Sequence, residues 1–189
     1  MADYHLRPAT AADAEAICRI YNQGIEDRLA TLETELRTPD ERREWLLARG
    51  PRHPVIVAET EPATFSNRPP TWLPEQAPPA PTDHAPPAPI AWGSLNVFNA
   101  RPAYRHVADF SVYIEREWRG KGVGRVLLTR LVELGRELGY HKLVLSAFPF
   151  NAAGVALYER LGFRTVGIYK EQGLLDDRWV DTIIMERLL

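Results

Sequence analysis

In this 189-residue chain, the residue types and spacing best suited to chemistry lie in "REWRGKGVGRVLL", which starts at Arg116. Gly120, Gly122 and Gly124 alternate with Lys121 and Val123. Arg119 and Arg125 flank them, and an apolar run follows. Glycine leaves no Cβ between the backbone and a ligand, and it reaches left-handed conformations cheaply. A strand, a glycine-rich turn and a helix start together aim backbone N–H groups and the positive end of a helix dipole at one point. That arrangement suits a phosphate. Each charge-assisted bond from Arg119, Lys121 or Arg125 would contribute about 1.5–3 kcal/mol, so several could hold a pyrophosphate. The turn lacks the Gly-Lys-Ser/Thr ending of a magnesium-nucleotide loop. It also lacks the Gly-x-Gly-x-x-Gly spacing and early position of a dinucleotide loop.

Such a turn works only between a strand and a helix, and the patterning supplies both. "VADFSVYI" alternates Ala108, Phe110, Val112 and Ile114 with Asp109, Ser111 and Tyr113, the period of a strand. After the turn, Val123, Leu127, Leu131, Leu134 and Leu138 stripe one side of a helix that Gly139 ends. Upstream, "TAADAEAICRIYNQGI" predicts a helix capped by Thr10, and "TPDERREWLLAR" a second capped by Thr38 with Pro39 in its first turn. "PVIVAE", "IAWGSLNVF", "KLVLSAF", "RTVGIYK" and "WVDTIIMERLL" read as strands, and "NAAGVALYERL" as a helix closed by Gly162. Strands alternating with helices predict one α/β (α+β) domain over residues 1–189 around a mixed sheet. A Pro-rich loop insertion at about 61–89 interrupts it, carrying ten of the 16 prolines. Trp45, Trp92, Trp118 and Trp179 read as packing residues.

Composition narrows the function classes. A net charge of -2 gives no footprint for nucleic acid. The opening "MADYHLRPAT" lacks the apolar run of a secretory leader, and no apolar stretch is long enough to span a membrane. The single cysteine, Cys18, excludes an intrachain disulfide and suits a cytoplasmic protein. It shares a helical face with Ala14, Ile17 and Tyr21 and so reads as core. The five histidines show no metal-ligand spacing, so no metal is expected.

"RGKGVG" resembles the Arg/Gln-x-x-Gly-x-Gly/Ala signature of the GNAT N-acetyltransferases, and "FPFNAAGVALYERLGF" is similar to their second cofactor segment. The resemblance implies a mostly antiparallel sheet with splayed central strands, and acetyl-CoA as cosubstrate. Val112, Tyr113, Ile114 and the turn from Arg119 through Val123 to Arg125 would hold it. Asn151 would lie near the pantetheine arm and Tyr158 near the CoA sulfur. "IYNQGIEDRLATLETELRTPDERREWL" and "ARPAYRHVADFSVYI" resemble the phosphinothricin and arsinothricin acetyltransferases. That likeness implies an amino-acid-like substrate met by Glu35, Arg101 and Tyr104, and a homodimer. The family's catalytic glutamate matches Asp109 here, and Leu175 stands where the family often has lysine.

Acetyl transfer to an amine needs the ammonium deprotonated, the oxyanion stabilised and the thiolate protonated. The resemblance gives these tasks to Asp109 acting through water, the Val112 N–H and Tyr158. From the residues alone, Asp109 could also be a paired structural acid and Tyr158 a core aromatic, and Arg101 could equally be a surface arginine. Two other functions fit the same motifs: a protein N-terminal or lysine acetyltransferase, and a non-catalytic acyl-CoA-binding module.

Overall fold

The structure, a computed structural model, describes residues 4–60 and 88–189. The proline-rich insertion therefore lies outside the described residues, apart from Ala88 and Pro89. Among the described residues, one sheet contains β1 (Tyr4–Pro8), β2 (Val55–Thr60), β3 (Ala91–Val97), β4 (Val107–Ile114), β5 (Lys142–Ala147), β6 (Arg164–Leu175) and β7 (Arg178–Leu188). Their spatial order is β1-β2-β3-β4-β5-β7-β6. Every neighbouring pair is antiparallel except β4 and β5. The helices are α1 (Ala14–Glu26), α2 (Pro39–Leu47), α3 (Val123–Glu137) and α4 (Ala152–Arg160). Helix α3 is the crossover that a parallel β4–β5 pair requires.

Each face of the sheet has its own core. The α3 stripe Val123, Leu127 and Leu131 is fully buried, in a cluster with Ile56, Ala58, Leu95, Ala108 and Phe110. On the other face, Ile17, Ile20 and Tyr21 of α1 cluster with Val55, Val57 and Trp92. Strand β2 therefore alternates its side chains between two apolar layers, which is why its sequence is apolar throughout. Cys18 is buried beside Ala14 and Ile17.

The helix starts follow local chemistry. Thr38 Oγ1 accepts from the Glu41 N–H at 3.3 Å, and the Glu41 carboxylate accepts from the Thr38 N–H at 2.7 Å, with Pro39 in the first turn. A 3₁₀ turn, Ala11–Asp13, precedes α1. Asp13 is buried because Arg7 forks onto it with two bonds of 2.8 Å, while the Arg7 Nε donates to Glu59 at 2.9 Å.

Two sequence expectations change here. Strand β6 does not stop at Lys170 but runs to Leu175 through two irregularities, and a tight turn at Asp176 and Asp177 joins it to β7. Both aspartates have positive φ, 48° and 60°, as a two-residue hairpin turn requires. Aspartate tolerates that conformation, so the turn forms without the usual glycine. Trp179 is 65% exposed rather than packed, because this hairpin turns one face away from the body of the domain.

Candidate active site

The parallel pairing of β4 and β5 lasts three residues: Val107, Ala108 and Asp109 opposite Lys142, Leu143 and Val144. Beyond Asp109 the two strands part, and the fork holds a cavity of about 270 Å³. Its walls include Asp109, Val112, Tyr113, Ser146, Asn151 and Tyr158. Glu115 N–H donates to the Ile90 carbonyl, so the odd-numbered residues of β4 direct their backbone groups to β3. Alternation then turns the Val112 N–H toward the fork.

At the mouth of the fork, Gly120 and Gly122 have φ of 75° and 92°, and a Cβ built on either would meet open space. Among the described residues, the N–H groups of Gly120, Gly122, Val123 and Gly124 have no acceptor in the protein. These are the orphan donors of a helix start, collected at the N-terminus of α3. An uncluttered cradle of unpaired donors fits a pyrophosphate. Arg125 is exposed on the first turn of α3, and Lys121 lies 4.9 Å from the Trp118 ring.

Other residues of this segment serve differently from the sequence expectation. Val123 is fully buried, so only its backbone can face a ligand. A Cβ on Gly124 would sit 2.7 Å from Ile114 Cδ1 and 3.3 Å from Leu157 Cδ2, so this glycine lets α3 approach β4 and α4. Arg119 is already engaged: its Nη1 donates to Asp27 at 2.6 Å and its Nε to the Ile114 carbonyl at 3.1 Å. Asp27 also binds Arg116, so the end of α1 braces the glycine turn. Charge patterning alone could not separate a bracing arginine from a phosphate ligand.

Asp109 and Tyr158 both line the fork. Burial pushes the Asp109 carboxyl up to about 6, against the downward pull of the Asn96 amide. Burial, reinforced by the Asp109 charge, pushes the Tyr158 hydroxyl up to about 12. The Tyr158 ring stands edge-on to Phe110 and Phe163. Tyr113 is stacked on Trp92 with ring centroids 4.8 Å apart, and burial raises its hydroxyl strongly. Asn151 caps α4 by accepting from the Gly154 N–H at 3.0 Å and donates to the Leu29 carbonyl at 3.2 Å.

A second cavity, about 380 Å³, opens on the α1–α2 side and shares Ser111 and Tyr113 with the fork. Tyr21, Trp45 and Trp92 form aromatic walls, and Glu33, Arg37, Glu41, Arg42 and Asn96 add polar groups. The buried Arg42 guanidinium lies 3.8 Å from the Tyr21 ring centroid. The sequence reading missed Glu33, Arg42 and Asn96. Position 42 stands in the Arg-x-x-Trp helix, but nothing in the spacing showed which way it points. Glu35, Arg101 and Tyr104 line neither cavity; all three are exposed, and Tyr104 packs against Phe98.

A cleft between splayed strands, with an anion cradle at its mouth and an elevated carboxyl at its base, defines a site for transfer from a phosphate-bearing carrier. The acetyltransferase (GNAT) family matches residues 27–163, and the chain belongs to that family. The YwnH protein of Bacillus subtilis (strain 168) is 32% identical over 184 residues, spanning 97% of this chain and 98% of its own length. The phosphinothricin N-acetyltransferase of Streptomyces coelicolor is 28% identical over 188 residues, 100% of this chain and 98% of that one. A phosphinothricin acetyltransferase from Sinorhizobium meliloti, solved in complex with acetyl-CoA, superposes with a TM-score of 0.79 at 29% identity over 98% of this chain and 88% of that one. A ribosomal-protein-alanine N-acetyltransferase from Brucella melitensis gives 0.82 at 31% identity, over 98% and 99%. This chain is an N-acetyltransferase with acetyl-CoA as its cosubstrate. No helix among the described residues is long and apolar enough to cross a membrane, and none of their His, Cys, Asp and Glu side chains form a metal-binding group.

Proposed function

We propose that this enzyme acetylates the amino group of a small amino-acid-like substrate of the phosphinothricin, arsinothricin or methionine sulfoximine type. The observation that carries the reading is the pair of neighbouring cavities, which share Ser111 and Tyr113 as walls. The fork accepts the acyl carrier, and the aromatic-walled cavity of about 380 Å³ beside it is sized for one small molecule with charged groups. The relatedness to a phosphinothricin N-acetyltransferase supports the same class.

Acetyl-CoA supplies an activated thioester when bound. The donors of Gly120, Gly122, Val123 and Gly124 hold its phosphates, helped by Lys121 and Arg125, and Asn151 and Tyr113 border the arm in the fork. The Val112 N–H donates to the carbonyl oxygen as negative charge gathers there. Asp109 removes the ammonium proton through a water molecule, since its side chain is one methylene shorter than glutamate. A buried carboxyl near 6 is ionised at neutral pH and still basic enough for the task. Tyr158, raised to about 12, stays protonated and delivers its proton to the departing thiolate. Arg101, Tyr104 and Glu35 are exposed and line neither cavity, so they would act only where a long substrate or a partner subunit reaches them.

We also propose a cytoplasmic homodimer. Val166, Ile168, Tyr169 and Trp179 leave a large apolar area exposed on the β6–β7 hairpin, which a second copy would cover.

The likeness to a ribosomal-protein-alanine N-acetyltransferase favours a second reading, transfer to a protein N-terminus. A CoA-release assay against amino acid analogues, simple amines and peptides with N-terminal alanine separates the two. Higher kcat/KM on the amino acid analogues is expected. Preference for the peptides would overturn the small-substrate reading.

A further inference from the structure

Asn96 lines the second cavity and reaches Asp109 and Ser111 in the wall of the fork, and its hydrogen bonds fix which way its amide faces. Its Oδ1 accepts from Ser94 Oγ at 2.9 Å and from the Arg49 guanidinium at 3.0 Å. Arginine can only donate, so the oxygen must face Arg49 and the NH₂ must face the other way. There it meets Ser111 Oγ at 3.1 Å and Asp109 Oδ1 at 3.4 Å, one amide shared between two acceptors. Arg49 is itself held in place. Its Nε donates to the His53 carbonyl at 2.8 Å, its Nη2 donates to the Leu95 carbonyl, and its guanidinium lies 4.8 Å from the Trp45 ring. The register pairs Asn96 directly with Asp109 across β3 and β4.

We propose that Asn96 is a positioning residue for the reaction, an oriented dipole that aims the Asp109 carboxylate into the fork and favours its ionised form. The proposal rests on Asp109 being the base. Burial alone disfavours a charge on Asp109, and Asn96 is the polar side chain that opposes it. The other groups around Asp109 do not take its place. Tyr158 of α4 is protonated and its own ionisation is opposed by Asp109. Ser111 of β4 receives the same amide, β5 presents Val144, and β7 contributes Thr182 to the wall. Arg49 acts at one remove: by fixing the oxygen of Asn96, it obliges the NH₂ to point at Asp109.

The test is kcat/KM against pH for Asn96→Ala and Asn96→Asp, with circular dichroism and acetyl-CoA affinity as controls. In Asn96→Ala the acidic limb moves up by about one pH unit, because the carboxylate loses its donor. In Asn96→Asp it moves further, because a second carboxylate faces Asp109. Acetyl-CoA affinity stays within about twofold in both, since neither touches the glycine turn. An unmoved limb in folded variants that bind acetyl-CoA overturns the proposal. If neither variant folds, Arg49→Gln decides, since loss of the obligate donor lets the amide rotate. A smaller upward displacement supports the proposal and no displacement overturns it. Asp109→Asn tells the two readings apart: if it keeps wild-type kcat/KM, the base assignment fails. If it loses activity while the Asn96 limb stays fixed, only the role of Asn96 fails.

Discussion

Asp109 and Val144 form the last rung between β4 and β5, and the fork opens at the next residue. The rung puts the carboxyl where the sheet stops being a sheet. On one side, backbone hydrogen bonds hold it rigidly. On the other, it faces a cavity that also contains Tyr158 and the edge of β4 around Val112. A carboxyl one pair earlier, at Ala108, would point to the opposite face of the sheet, into the core beneath α3.

Asp109→Asn keeps the shape of the side chain and cannot accept the ammonium proton. Its kcat/KM at pH 7 should fall by about 10²–10⁴-fold. The deficit should shrink as pH rises, because more amine arrives neutral. The wild-type rate should fall below pH about 6, where the carboxyl becomes protonated. Asp109→Glu should retain substantial activity. Wild-type rates from the asparagine variant at pH 7 would assign Asp109 a structural role.

The same carboxyl makes stability depend on pH. Its value rises from 3.8 to about 6 on folding, so between those limits the folded chain keeps a proton that the unfolded chain has released. Stability therefore falls as pH rises through that window and stays lower above it, by at most about 3 kcal/mol. Asp109→Asn removes this loss. Its Tm should exceed wild type by about 4–10 °C at pH 7.5 and converge on it near pH 4. Thermal melts at four pH values between these points check the sign, and a Tm difference independent of pH would contradict the linkage.

Tyr158→Phe removes the proposed proton donor and leaves the aromatic packing on Phe110 and Phe163 in place. The kcat should fall by about 10²-fold or more while KM for acetyl-CoA changes little. A proportionate rise in KM with kcat preserved would make the hydroxyl a binding group instead.

Gly122 has φ of 92° with open space where a Cβ would stand. Gly122→Val sets a β-branched residue in a left-handed conformation and fills the cradle. Acetyl-CoA affinity by calorimetry should drop at least tenfold in a protein that still folds. Unchanged affinity would mean that the phosphates sit elsewhere.

The sequence by itself determined the elements and the chemistry on offer. Period-2 alternation from Ala108 to Ile114, the Val123–Leu138 stripe, and the glycines at 120 and 122 are local patterns, and local geometry reproduces them. The joining of those elements was a different matter. That β4 and β5 part after Asp109 depends on which strands pair and for how long, a long-range property absent from either strand's own sequence. Arg119 and Arg125 look alike in the chain, yet only Arg119 meets the Asp27 carboxylate, 92 residues earlier, and becomes a brace. Gly124 looks like its neighbours, and only the packing of α3 on Ile114 and Leu157 makes it a spacer. Asn96 carries no motif at all. Its role comes from four partners, Ser94, Arg49, Ser111 and Asp109, and the register of β3 on β4 brings Asp109 and Ser111 to it. Residue type sets what a side chain can donate or accept, while burial and the approach of distant segments set what it does.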